Sequence, residues 1–170
     1  FCPLIPKMSM ITFTVSEVAS DTANDVVDYL IVAGGAGTYR GLAGGGGAGG
    51  WRSFSSGPGS VHPLNAPAGI TVTAQGYPIV VGGGGTAGPT ASPNVAPNGG
   101  NSSALGKTST GGGGGGGNNG NPAGGPGGPG GSGGGAGGTL GPVAGGSGNT
   151  PPVSPSQGFP GGSTTFSSAG

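Results

Sequence analysis

The side chains that could contact a ligand in this sequence are a few aromatic and basic residues set among glycines. They are Tyr39, Arg40, Trp51, Arg52, Phe54 and His62. Exposed aromatic and Arg side chains on loops of a rigid scaffold are suited to bind a sugar or a protein partner. In the competing interpretation, which the sequence favours, Trp51 and Phe54 close one edge of a glycine-built body and the arginines are solvated charges. If the binding interpretation is right, the candidate ligand-binding residues are Tyr39, Arg40, Trp51, Arg52 and His62.

A dinucleotide-binding fingerprint is suggested by "GGAGTYRG", which follows the apolar run "YLIVA". The fingerprint requires G-x-G-x-x-G at the start of a helix, with an acidic residue about 20 positions later. Gly35 and Gly37 fit, but Arg40 stands in place of the third glycine, and no Asp or Glu follows Asp28. The glycines after Arg40 cannot begin a helix, so this interpretation is rejected.

Two further catalytic or phosphate-binding motifs also fail. "GNSSALGKTS" has five residues between its glycines, whereas a phosphate loop requires four. "GGSGG" matches the nucleophile elbow of serine hydrolases, but His62 lies upstream and no acidic residue lies downstream. One His, one Cys and four scattered acidic residues form no metal-ligand pattern. We therefore expect no enzyme activity, no cofactor and no metal.

Composition narrows the class of protein further. Gly contributes 49 and Pro 17 of the 170 residues, and the formal net charge is zero. Four cations are too few for a nucleic-acid interface, and no apolar run reaches the roughly 18–20 residues of a membrane span. The opening "FCPLIPKMSM" lacks the features of a secretory signal and begins on Phe1, which favours a processed chain or a fragment.

Strand patterns are concentrated in the first half of the chain. "MITFTV" (Met10–Val15) alternates apolar and polar residues, and "VVDYLIVA" (Val26–Ala33) is typical of a strand buried over its second half. "ITVT" and "PIVV", joined by a turn at "AQGY", predict a β-hairpin over 70–81. We expect these strands to form one small sheet.

Glycine runs dominate the rest of the chain, and they leave two structures open. One is a flexible low-complexity linker. The other is a bundle of polyglycine-II helices, which have three residues per turn and leave every N–H and C=O free to bond a neighbouring helix. Proline lacks the N–H and is expected at the edges of such a bundle. A collagen triple helix is not expected, because the Gly-x-x phase of "GGPGGPGGS" is lost on either side.

The predicted fold is therefore mainly β and irregular with essentially no α-helix. It combines a small sheet from the N-terminal third and Ile70–Val81 with a layered polyglycine-II bundle. Residues 1–33 form an N-terminal strand region, and residues 34–170 form a glycine-rich body with the hairpin at 70–81 inserted, together one structural unit.

The order of the segments resembles the glycine-rich domain of bacteriophage tail-fibre and adhesin proteins. The matching segments are "VDYLIVAGGAG", "GGGGAGGWRS", "YPIVVGGGGTAG", "GNSSALGKTSTGGGGGGG" and "GNTPPVSPSQGFPGGS". The chain departs from the family at "NSSALG", where Ala104-Leu105 stands in place of the usual aromatic residue. The resemblance implies a layered polyglycine-II bundle in a virion appendage, with host specificity in variable loops. Variable loops have no motif to match, so the candidates here are the turns between glycine runs, at Tyr39–Arg40, Trp51–His62 and Thr86–Asn98.

The leading functional hypothesis is a non-enzymatic phage fibre component that recognises a host cell-surface glycan or outer-membrane protein. It is located on the virion and self-associates as a trimer or filament, because unpaired strand edges invite a partner chain. The first alternative is a self-assembling extracellular filament subunit without host recognition. An ice-binding polyglycine-II bundle and a disordered linker are the remaining alternatives. No nucleic-acid partner and no membrane insertion are expected.

Overall fold

Short antiparallel strand pairs are the regular elements of this protein. The computed structural model describes residues 25–58, 62–88, 95–117, 124–138 and 141–166. Within these ranges there is no helix, which confirms the prediction of a mainly β and irregular fold. The strands are β1 (Asp25–Val27), β2 (Tyr29–Val32), β3 (Trp51–Phe54), β4 (Ile70–Val72), β5 (Ser102–Ala104), β6 (Lys107–Ser109), β7 (Gly141–Val143) and β8 (Thr164–Phe166).

The strands pair two by two rather than in the single sheet expected from the sequence. The pairs are β1 with β4, β2 with β3, β5 with β6, and β7 with β8. The predicted strand Val26–Ala33 is divided at Asp28, so that its two halves pair with different partners. The predicted strand Met10–Val15 lies outside the described residues.

The hairpin predicted over 70–81 is wrong. Its first half, β4, pairs with β1, with Val27 opposite Ile70. Its second half forms only an antiparallel bridge between Val80 and Ser103. The connecting turn explains the difference: the Tyr77 hydroxyl accepts a hydrogen bond from the Thr73 N–H at 2.9 Å, which closes a compact loop with no ladder beyond it.

A hairpin that the sequence did not reveal joins β5 to β6. Its two turn residues, Leu105 and Gly106, have φ values of 52° and 70°. Positive φ at both central residues is the geometry of a type I′ turn, which matches the twist of paired strands. The usual Asn-Gly or Asp-Gly signal is absent because Leu occupies the first position.

Glycine-rich segments connect the strands and form the body of the protein. We number them in chain order: I (33–38), II (43–50), III (82–88), IV (96–100), V (110–117), VI (124–130), VII (131–138), VIII (144–148) and IX (157–163). Few apolar side chains are buried among the described residues, namely Ile31, Ala33, Tyr39, Ala96 and Ala136. The interior is therefore built mainly from backbone.

Hydrogen-bond partners repeat every three residues along these segments. In segment I the N–H groups of Ala33 and Ala36 bind segment II, and those of Gly34 and Gly37 bind segment IV. The same spacing recurs in segments V and VII. A helix with three residues per turn and no internal hydrogen bonds presents every third residue to the same neighbour. This bonding supports the predicted bundle over a flexible linker, while the polyglycine-II geometry and the division into domains stay predictions.

Segment V lies at the centre of the body. Its glycines 111–117 are all buried, and each N–H and C=O of residues 110–116 has a hydrogen-bond partner. Side-chain amides supply some of the acceptors: Asn101 Oδ1 accepts the Gly111 N–H at 2.9 Å, and Asn98 Oδ1 accepts the Gly114 N–H at 2.8 Å. The two asparagines are three residues apart, as are the glycines that they bind.

The prolines of segment VI follow the same three-residue spacing. Pro126 and Pro129 are both exposed, while Gly125 and Gly128 are buried. With three residues per turn, positions 126 and 129 share one face of the segment. That face meets solvent, where the missing N–H leaves no neighbouring carbonyl unbonded.

Candidate binding surface

The β2–β3 pair presents one face to the body and the other to solvent. Successive side chains of a strand point to opposite faces, so Ile31 is buried while Leu30 and Val32 are exposed. The register places Val32 opposite Trp51 and Leu30 opposite Ser53. The outer face therefore combines two aliphatic side chains with the ring of Trp51.

Two adjoining hollows lie along this outer face, with Trp51 and His62 lining both. The smaller, with a volume of ≈280 Å³, is also lined by Val32, Leu64 and Phe159. The larger, with a volume of ≈620 Å³, is also lined by Leu30, Asp28 and Asn65. The Trp51 and His62 rings lie 6.3 Å apart between centroids, tilted by 41°. We call this surface the Trp51 groove, formed by Leu30, Val32, Trp51, His62 and Phe159.

Hydrogen bonds hold the indole ring of Trp51 in place. Its Nε1–H donates to Ser53 Oγ at 2.7 Å, and the Ser53 hydroxyl donates to Asn65 Oδ1 at 3.2 Å. The backbone joins the same residues, because the Ala66 N–H donates to the Ser53 carbonyl at 2.8 Å. The Trp51 side chain is 39% exposed, so a fixed part of the ring faces solvent.

Gln157 connects the groove to the centre of the body. Its carbonyl accepts the Trp51 N–H at 2.7 Å. Its side chain is 1% exposed, accepts the Thr110 N–H at 2.8 Å and donates to the Pro151 carbonyl at 3.0 Å. One residue therefore ties β3 to segment V.

Asp28 fixes the loop beside the larger hollow. Both of its carboxylate oxygens accept the Ser56 N–H, at 3.1 and 3.0 Å. This bond holds the chain that leaves β3 against the start of β2. The carboxylate also remains at the wall of the hollow, where it can accept a hydrogen bond from a ligand.

The candidate residues proposed from the sequence fall in different places. Trp51 and His62 come together in the groove. Tyr39 is 4% exposed and packs against glycine, since a Cβ added at Gly117 would overlap its ring. Its side chain belongs to the packing of the body and is not part of a ligand-accessible surface.

The two candidate arginines do not join the groove. Arg40 is exposed in the turn that follows segment I. Arg52 is half-buried opposite Ile31, so it lies on the other face of β3 from Trp51. Residues 59–61 of the Trp51–His62 turn and 89–94 of the Thr86–Asn98 turn lie outside the described residues.

Sequence reasoning missed the apolar members of the groove. Strand alternation places Leu30 and Val32 on one face, whereas the apolar run predicts burial over its whole second half. Phe159 carried no signal, because it comes from segment IX, more than a hundred positions from Trp51 in the chain.

Metal-binding clusters are not found in the part of the chain that the structure describes. No group of three or more His, Cys, Asp or Glu residues there is placed to hold a metal ion. Nor do the described residues form any helix long and apolar enough to cross a membrane.

Comparison with known proteins identifies the family. Residues 12–170 match the glycine-rich domain family, and the chain belongs to it. Neither curated proteins nor solved structures provide a match.

Proposed function

We propose that this chain is a non-enzymatic structural and adhesive protein of a phage fibre or other virion appendage, and that its Trp51 groove recognises a host cell-surface glycan. The observation that carries the proposal is an exposed tryptophan, fixed by hydrogen bonds, in an apolar groove on a body of bonded backbone segments. The order of segments, which resembles that of phage fibre domains, is the ground for proposing a location on a virion.

The groove is suited to binding because little of it must be ordered by a ligand. Trp51 is held through its ring by Ser53 and through its backbone by Gln157. Binding then loses little side-chain entropy, which otherwise costs about 0.5–1.5 kcal/mol for each immobilised side chain. Tryptophan at the centre of an apolar patch is also among the residues that most often dominate binding energy.

A glycan fits the mixture of groups in the groove. A sugar ring has an apolar C–H face, which packs on an aromatic ring, and a rim of hydroxyls, which need hydrogen-bond partners. The Trp51 ring provides the first surface, and Asp28, Ser53 and Asn65 bring polar groups to the wall of the larger hollow. Aromatic lining with a few placed polar groups is typical of small-ligand sites.

Binding of labelled protein to host cells and to an array of bacterial surface glycans tests the proposal. Trp51→Ala is expected to reduce binding at least tenfold, because it removes the central ring. Leu42→Ala, at an exposed apolar side chain in the turn between segments I and II, is the matched control and should leave binding unchanged. Equal binding by wild type and Trp51→Ala, with both variants folded, would refute the groove as the receptor site. Binding to proteinase-treated cells distinguishes a glycan from a protein receptor.

The second candidate is an extracellular filament subunit, and a specific observation favours it. Ile79, Val80 and Val81 form a run of exposed apolar side chains outside the groove. Electron microscopy of the source material separates the candidates: a knob or fibre on phage particles supports the adhesin, and long filaments without virions support the polymer.

A further inference from the structure

We infer that residues 79–81 form a self-complementary β-edge through which two copies of this chain pair antiparallel. The inference is independent of the Trp51 groove and holds for either proposed function. It rests on which backbone groups of the edge are already bonded and which are not.

One side of the edge is bonded to the protein itself. The Val80 N–H donates to the Ser103 carbonyl at 2.8 Å, and the Ser103 N–H donates to the Val80 carbonyl at 2.9 Å. Both backbone groups of Val80 therefore face β5. In an antiparallel strand the groups of the flanking residues face the opposite side, so those of Ile79 and Val81 are directed away from β5.

Those outward groups have no partner in the described part of the chain. Neither Ile79 nor Val81 makes a hydrogen bond to any described residue. The side chains are also open, with exposed fractions of 67% for Ile79, 54% for Val80 and 82% for Val81. An extended, β-branched and exposed edge of this kind is a template for another strand.

A second copy of the same edge satisfies these groups completely. If Val80 faces Val80 of the second copy across a two-fold axis, they form a non-hydrogen-bonded pair. Ile79 of each copy then faces Val81 of the other, and each of these pairs exchanges both backbone hydrogen bonds. The two-fold arrangement is the one expected for a self-complementary interface.

Charge does not oppose this pairing. Natural edges are often protected by a charged side chain, especially Lys. Here β5 carries none, and Lys107 is on β6, which lies on the far side of β5 from the edge. Two copies can therefore approach without like charges meeting, and the product is a sheet that runs from β6 of one copy to β6 of the other.

The contact is small, so the pairing should be weak in solution. Stable interfaces bury roughly 1,200–2,000 Å² in total, more than two three-residue edges provide. We expect a dissociation constant for the dimer on the order of 0.1 mM, which is a weak affinity for a specific association. In an assembly with other contacts the same pairing gains from high local concentration.

Cross-linking in a defined register tests the inference. In a non-hydrogen-bonded antiparallel pair the Cα atoms are about 4.5 Å apart, a separation that a disulfide spans. In the full chain with Cys2→Ser, we expect Val80→Cys to form a dimer on mild oxidation with diamide. Ile79→Cys, whose partner position is Val81, is the matched control and should cross-link at least tenfold less. Equal cross-linking of both variants, or of neither, would overturn the register.

Sedimentation of the unoxidised protein gives a second, independent measurement. Val81→Lys places one positive charge from each copy beside the two-fold axis and should weaken self-association at least tenfold. Leu42→Lys, at a similarly exposed site, should leave self-association unchanged. Unchanged association of Val81→Lys overturns the inference. If a segment outside the described residues covers the edge, Val81→Lys lowers the stability of the monomer and Val80→Cys fails to cross-link, which also overturns it. Glycan binding by both lysine variants should be unaffected, which separates this test from that of the groove.

Discussion

The central glycine segment should tolerate no side chain, and Gly114→Ala is the sharpest test. An alanine Cβ there would lie from the Ala96 carbonyl oxygen at about half the 3.4 Å of an ordinary contact. The neighbouring chain would have to move away by about as much again. Gly45 is the matched control, because it lies in segment II, is exposed and has nothing within 4 Å of an added Cβ.

The cost follows from the bonds that such a movement would break. The Ala96 N–H donates to the Gly115 carbonyl at 2.9 Å, and the Gly114 N–H donates to Asn98 Oδ1 at 2.8 Å. Leaving buried polar groups unbonded costs about 1–3 kcal/mol each. The Ala96 N–H, the Gly114 N–H and the Gly115 carbonyl are buried, so their loss costs about 3 kcal/mol or more. A native domain has only about 5–15 kcal/mol of stability. Gly114→Ala should therefore remove a large part of it.

Urea unfolding followed by the fluorescence of Trp51, the sole tryptophan, measures the difference. Gly45→Ala should be unchanged or more stable by about 0.4–1 kcal/mol, because alanine restricts the unfolded chain. If Gly114→Ala unfolds within about 0.5 kcal/mol of Gly45→Ala, segment V is not packed backbone against backbone, and the described architecture is refuted.

Two further substitutions test the packing of the interior, and a third tests the pKa of Tyr77. Ser109→Ala should raise the free energy of unfolding by about 1 kcal/mol, because Ser109 Oγ is buried without a hydrogen-bond partner; a lower midpoint in urea would contradict this. Gln157→Ala should lower the free energy of unfolding by roughly 2–4 kcal/mol, since the Thr110 N–H and the Pro151 carbonyl lose their partners. Calorimetry should show a lower melting temperature for this variant. The hydrogen bonds from Thr73, and then that from Gln75, lower the pKa of Tyr77 from 10.0. A folded pKa below the unfolded one contributes stability that is present above pH 10 and is lost as pH falls through the folded pKa. The ultraviolet titration of wild type minus Tyr77→Phe should have its midpoint below pH 10, and a midpoint at or above 10 would contradict it.

The sequence by itself determined the fold class of this protein and the location of some of its strands. Glycine at this density, with few titratable groups, predicted a fold with essentially no α-helix. The resemblance predicted a glycine-rich domain, and the family match confirms that much of it. Strand propensity located β2 and β4 correctly, because Tyr29–Val32 and Ile70–Val72 are rich in aromatic and β-branched residues. Only the structure revealed that Asn98 and Asn101 bind segment V.

Tertiary structure decided which segments lie side by side. A glycine run is the same in every register, so its sequence does not specify its neighbours, and polar groups beyond the run must fix them. The amides of Asn98, Asn101 and Gln157 do so for segment V. The same packing brings Phe159 to Trp51, and it pairs β4 with β1 rather than with Val80. These long-range pairings form the groove and leave the edge at 79–81 open, because both depend on residues that are close in space and distant in the chain.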